Sequence, residues 1–252
     1  MNLYVTGLLW VVGVAIFAGA LAYLVRRIGA TEGVVENNEA AGQVFTLVGG
    51  LQAVLLAFVL ISLFDATSDA EDGSYREADG LVATVWAADA LPAESSEVAT
   101  QARAYAREVI TREWPRMREG LSVDDAGWAT LERLRTTVAE APVTDEWSSD
   151  QKTEAANQLW QVYQARQDRL NAASSEGVNS VVWFALVAGA VLAVALPILF
   201  GGPKPRIHVF IVSILGATMA LLLFATQQLQ NPYGGGAQVS PAAFESALDR
   251  LR

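Results

Sequence analysis

Polar and apolar residues segregate along this chain into long blocks. Leu3–Val25, Ala41–Phe64 and Val178–Phe200 run 23, 24 and 23 residues without an Asp, Glu, Lys or Arg. At about 1.5 Å of rise per residue, each as a helix crosses the ~30 Å hydrocarbon core of a bilayer. Ile207–Thr226 is shorter, and Gln227, Gln228 and Gln230 carry its last turn into the headgroups. The pattern predicts four transmembrane helices in two pairs. Small-x-small residues at Ala18-Gly19-Ala20 resemble a signal-peptide cleavage site. No Lys or Arg precedes the first run, however, and Arg26-Arg27 follow it, so an uncleaved helix is expected.

Between the pairs the period is helical throughout. Ala66, Ala70, Ala78, Leu81, Val82, Val85 and Trp86 recur at three and four, extending the second membrane helix to about Ala90, with Pro92 as its stop. A helix from Glu94 carries Val98, Ala102, Tyr105, Val109 and Ile110 on one face, and Trp114-Pro115 bends or ends it. Gly120 and Ser122 mark a junction. Trp128, Leu131, Leu134 and Val138 mark the next helix, closed by Pro142. A long helix then runs from Asp145 towards Glu176, with Ala156, Leu159, Trp160, Tyr163 and Leu170 facing inward. After the fourth membrane helix, Asn231–Gly236 reads as a turn, and Ser240 caps a short helix with Pro241 at its first position and Phe244 and Leu248 on one face. The expected fold is an all-α membrane protein. Transmembrane helices 1 and 2 occupy 3–64, an acidic helical-bundle extramembrane domain 65–177, transmembrane helices 3 and 4 178–227, and a C-terminal loop and short helix 228–252.

Charge sharpens this picture. Asp65–Glu176 holds 22 acids and 11 bases, so the net charge of -10 belongs to the middle domain. An acidic domain excludes nucleic acid as a partner and a polybasic grip on anionic lipids. With no cysteine there is no disulfide, thiolate nucleophile or sulfur-bound metal. The short loops carry Arg26, Arg27, Lys204 and Arg206, against Arg76, Arg166 and Arg169 on the domain side. By the positive-inside rule the loops are cytoplasmic in the plasma membrane and the domain is outside, by a margin of four to three.

Four patches resemble a bestrophin-like family of bacterial and plant membrane proteins. They are Val48–Phe58 through Asp65; Arg76-Glu77-Ala78; Tyr105–Val109 with Glu113-Trp114-Pro115-Arg116-Met117; and Asn231-Pro232-Tyr233-Gly234-Gly235 with Val239–Phe244. The likeness covers nearly the whole chain. It departs before the third membrane helix, where the family often shows a Leu-Pro…Leu-Trp pattern and this chain has Glu176-Gly177-Val178-Asn179-Ser180 and then Trp183. The resemblance implies a homo-oligomer, a pentamer in its expected form, around a central pore. True bestrophins conduct anions and keep their helical domain in the cytoplasm. No bestrophin pore motif aligns residue for residue. The family-motif residues Glu77, Tyr105, Glu113, Trp114, Pro115, Pro232, Tyr233 and Gly235 are expected to be structural.

Two sets of residues are candidates for function. Gln52, Leu55, Val59 and Ser62 fall within an arc of roughly 80° on the second membrane helix, at about 100° per residue. They read either as a pore face or as a packing face on which Gln52 bonds a neighbouring helix. Asp65, Asp69 and Asp72 share the helix face beyond it. In an oligomer they would ring a vestibule that favours cations; alone they are a solvated stalk face with Asp72 beside Arg76. Ala185, Gly189 and Ala193 read as a helix–helix contact, and His208, the only histidine, as an interfacial anchor.

Catalytic patterns are missing: no Gly-x-Ser-x-Gly, no His-Glu-x-x-His, no phosphate-cradling loop before a helix. No enzyme activity, cofactor or metal is expected. The reading is a homo-oligomeric ion channel with the second helix lining the pore, partnered by the lipid bilayer and inorganic ions. The alternative is a non-conducting sensor or scaffold whose acidic domain binds a partner.

Overall fold

Alternation of long apolar and acidic amphipathic blocks leaves helices as the way to satisfy the backbone both in lipid and in a bundle core. In the computed structural model, residues 2–29, 38–91, 94–175, 177–200, 204–236 and 238–252 are described, and among them there is no strand. The helices are α1 (Leu3–Gly29), α2 (Asn38–Ala88), α3 (Ser95–Glu108), a π-helical turn (Val109–Glu113), α4 (Trp114–Arg118), α5 (Ala126–Glu140), α6 (Glu146–Ser174), α7 (Ser180–Phe200), α8 (Pro205–Gln228) and α9 (Ala242–Arg250). The expected stop at Pro92, and most of both short loops, lie outside the described residues.

The chain forms two compact units, 1–63 with 177–230, and 64–176 with 231–252. α2, at 51 residues, contributes to both. α1, α2, α7 and α8 are long and apolar enough to cross a membrane. In the first unit α1 and α8 run against each other through small residues. Gly19 lies against Ser213, Gly216 against Ala18 and Val14, and Gly7 against Phe224. Such positions let two backbones approach where no hydrophobic effect drives association. Ala18 and Ala22 are buried in this seam.

The second unit is a helical bundle around Leu81, Val98, Tyr105, Trp114, Leu134 and Val162. Its α6 begins on a capping box. Asp145 accepts from the Ser148 N–H, and the Ser148 hydroxyl meets the Asp145 N–H, which satisfies two otherwise orphaned donors. The rotation of α6 differs from the expected one. Ala156, Trp160 and Tyr163 face solvent, Trp160 being 60% exposed, while Ala155, Leu159, Val162, Arg166 and Arg169 are buried. Leu170 is half-buried. Two arginines complete the inward stripe, so a search for apolar periodicity settles on the neighbouring face. Trp86 is likewise exposed at 60%, at the far end of α2.

Two further expectations change. The helix through Trp114-Pro115 is continuous, because a π turn precedes the proline. Pro115 has no N–H, and its ring would strike the carbonyl four residues back in a regular helix. Instead the Trp114 N–H bonds to Val109 O, five residues back, and the widened turn accommodates the ring. At the other end of the chain, Pro241 occupies the cap of α9, in place of Ser240, and no side chain caps the helix. Phe244 and Ala247 are buried against the bundle. Arg103 of α3 donates to Leu251 O at 2.7 Å, and Arg250 pairs with Asp79 of α2 at 2.6 Å.

Candidate functional site: a buried charge network and the faces of α2

The bundle core contains a closed set of charges. Glu77 comes from α2, Tyr105 from α3, Glu113 from the π turn, and Arg166 and Arg169 from α6, and none is more than 1% exposed. Arg169 donates Nε to Glu77 Oε2 at 2.7 Å, and Nη2 to Glu77 Oε1 at 3.0 Å and to Glu113 Oε2 at 2.8 Å. Arg166 grips Glu113 in bidentate fashion, Nη2 to Oε1 at 2.7 Å and Nη1 to Oε2 at 2.9 Å. It also donates to the Tyr105 hydroxyl at 3.2 Å, and that hydroxyl donates to Glu77 Oε1. Two carboxylates thus balance two guanidiniums, the arrangement that makes charge tolerable in a dry interior.

Aromatic rings enclose the network. The Arg166 guanidinium lies 4.6 Å from the Trp128 ring centroid and 5.5 Å from that of Tyr105. Arg169 lies 5.6 Å from Phe244 and 5.9 Å from Trp114. Trp114 packs edge-on against Tyr233 at 5.3 Å and donates its Nε1 to Val239 O at 3.2 Å. Gly127, near the start of α5, lies directly against Glu113 and Arg166, where any side chain would collide with both.

Protonation follows from these contacts. Burial pushes the Glu113 carboxyl up, but the Arg166 hydrogen bonds and the attraction of both arginines outweigh it and hold Glu113 below its ordinary range. Burial, then the Glu77 carboxylate, raises Tyr105 well above the usual phenol value. Burial also pushes Tyr233 up to about 12. Burial works against both guanidiniums, but Tyr105 and Glu113 outweigh it at Arg166, and Glu77, with Tyr105 and Glu113, outweighs it at Arg169, so both are held above their ordinary range. The network is a clamp in which every carboxylate oxygen accepts at least one hydrogen bond. Among the described residues no three His, Asp or Glu side chains converge as metal ligands.

The network gathers most of the motif residues. Glu77, Tyr105, Glu113, Trp114 and Tyr233 meet within it, Pro115 shapes the π turn, and Pro232 O accepts from the Val239 N–H at 2.9 Å. Gly235 adopts a φ of 61°, a left-handed turn that glycine accepts without strain. Arg166 and Arg169, its other half, entered the sequence reading only as bases on the domain side of the membrane, not as core residues. The readable signal was their spacing of three, continuing the 155, 159, 162 register of α6.

On α2 the four residues of the proposed pore arc separate. Gln52 is 4% exposed and donates Nε2 to Leu186 O of α7 at 2.9 Å, over Gly189, where its Oε1 fills the space a Cβ would take. Leu55 and Val59 are half-buried and Ser62 is exposed. Asp65, Asp69 and Asp72 are all exposed. Asp69 also lines a cleft of about 500 Å³ between α2 and α6 with Arg76 and Asp168. Ala193 is buried and Ala185 exposed on α7. His208 is buried at the start of α8.

The model of the Bestrophin-like domain matches residues 12–244. The chain belongs to the bestrophin-like family. Its fold matches crystal structures of single-residue variants of a bacterial bestrophin homologue from Klebsiella pneumoniae. One is 13% identical with a TM-score of 0.75, over 96% of this chain and 97% of the other. A second is 16% identical with a TM-score of 0.70, over 99% and 98%. A crystal structure described as a membrane protein is 15% identical with a TM-score of 0.70, over 100% and 98%. No curated protein matches the chain in sequence. The family match therefore runs through the segment before α7 where the motif pattern departs.

Proposed function

We propose that this bestrophin-like membrane protein is a homo-oligomeric, non-enzymatic ion channel, a pentamer in its expected form, with α2 lining the pore. The observation that carries the proposal is the division of α2 into two faces. One face is committed to α7 by the Gln52–Leu186 bond, while Leu51, Val54, Phe58 and Ile61 are left exposed, followed by Asp65, Asp69 and Asp72. Bestrophins are oligomeric channels, and a shared axis against this open face would explain why so long a helix leaves it uncovered. With Gln52 turned to α7, the proposed lining is the open face of Leu51, Val54, Phe58 and Ile61, with Ser62, Leu55 and Val59 along its edge towards Gln52. Both short loops are assigned to the cytoplasm by their basic residues.

Current across a planar bilayer containing the purified protein under a KCl gradient tests this. A reproducible conductance is expected. The sign of its reversal potential assigns the permeant ion, because the acidic face favours cations while bestrophins conduct anions. Replacing Asp65, Asp69 and Asp72 together by Asn should shift that potential. Silence from a verified, folded oligomer would favour the non-conducting sensor or scaffold.

A further inference from the structure

The groove between α5 and α6 lies on the solvent side of the charge network. It has a volume of about 330 Å³ and is lined by Trp128, Leu131, Glu132, Arg135, Trp160 and Tyr163 among others. Three of its rings form a ladder. Trp128 and Tyr163 have centroids 4.7 Å apart, and Tyr163 stacks on Trp160 at 5.5 Å with planes 5° from parallel. The inner end of the ladder already holds a cation, the Arg166 guanidinium on Trp128. The outer end is open, Trp160 being 60% and Tyr163 44% exposed.

We propose that this groove binds a small quaternary-ammonium cation. Ring faces attract such a charge electrostatically, most strongly for Trp, and a quaternary nitrogen requires no hydrogen-bond acceptors. That suits a lining that offers a single carboxylate. Glu132 supplies the counter-charge. Its pairing with Arg135, at 2.6 Å, joins two side chains that are each about 60% exposed. Arg135 Nε also meets Glu132 Oε2, at 2.9 Å, so the pair is bidentate; a quaternary cation, having no N–H, shares the negative field of Glu132 from the ring face without displacing Arg135. The surrounding domain, with 22 acids against 11 bases, concentrates cations and repels anions. The volume falls at the small-ligand end of the usual range for pockets. Occupation would add a rung to a ladder whose last member, Arg166, holds Glu113.

The test is equilibrium dialysis of radiolabelled choline against the full-length protein in a maltoside detergent, beside its neutral carbon isostere, 3,3-dimethylbutanol. Choline should bind at least tenfold more tightly than the isostere. Trp160→Leu should weaken it about tenfold, and Glu132→Gln several-fold, with melting temperatures unchanged because both side chains are exposed. Equal binding of choline and its isostere would overturn the proposal, as would binding indifferent to both substitutions, or no binding. A change of oligomeric state in Trp160→Leu would also overturn it, by assigning the groove to a contact between copies of the chain. A conductance defect plays no part in these readouts, so the channel proposal and this one fail separately.

Discussion

Replacing Arg169 by Met is the most direct probe of the buried charge network. Methionine keeps an unbranched stem and a good helix propensity, so α6 itself is undisturbed. The substitution deletes four hydrogen bonds from the guanidinium, two to Glu77, one to Glu113 and a weaker one to Met117 Sδ. Glu113 keeps both contacts to Arg166. Glu77 keeps only the Tyr105 hydroxyl and becomes a carboxylate without a guanidinium partner in a water-free site. Breaking one side of such a buried pair costs about 3–5 kcal/mol. For a helical unit of this size, at about 3–5 °C per kcal/mol, that corresponds to a fall in melting temperature of roughly 10–20 °C. Tryptophan fluorescence of the full-length protein in detergent reports it, since five of the seven tryptophans lie between residues 64 and 176. Adding Glu77→Gln to Arg169→Met removes the orphaned charge and should restore a substantial part of the loss. A single variant melting within about 3 °C of the parent would refute the reasoning, and so would a double variant no more stable than the single.

Other consequences are equally measurable. Gly127→Ala should lower stability by about 1–3 kcal/mol through collision with Glu113 and Arg166, against a gain of ~1 kcal/mol in helix propensity; an unchanged or raised melting temperature would contradict this. Alkali should act through the buried phenols. Their folded values lie above the unfolded ~10, so their contribution is complete below that pH and is lost as pH rises, through about 12 for Tyr233. The melting temperature should be level from neutral pH to about 10 and fall beyond it, less steeply in Tyr233→Phe; identical profiles would exclude Tyr233 as a cause. Because the chain has no cysteine, Ser149→Cys on the exposed start of α6 should react with a membrane-impermeant maleimide in intact cells if the helical domain is outside. Labelling only after permeabilisation would reverse the orientation.

The four membrane-length helices and the all-α middle were legible because charge-free runs and helical periodicity are one-dimensional signals. The α6 rotation was not, for a specific reason. Arg166 and Arg169 occupy core positions that a search for apolar periodicity counts as surface, and their admission depends on Glu77 and Glu113, 92 and 56 residues away from Arg169. Trp160 and Tyr163 then took the vacant inward role, although they form the outer end of an aromatic ladder. Motif resemblance did better at this site than periodicity. It flagged Glu77, Tyr105, Glu113, Trp114 and Tyr233 together without revealing that they touch. Gln52 was readable as either a wet or a packed residue, and only the carbonyl of Leu186 distinguishes the two within the chain.

The helical unit is discontinuous, and this orders events during synthesis. Trp114 is complete only when Tyr233, Val239 and Phe244 have arrived, and these residues emerge after both α7 and α8. Until then the nascent bundle holds an uncovered indole, and the Arg169 side chain lacks its Phe244 neighbour. At ~5–20 residues per second the wait is seconds long. The bundle must therefore persist half-closed while two more helices enter the bilayer, and residues 231–252 act as its final latch.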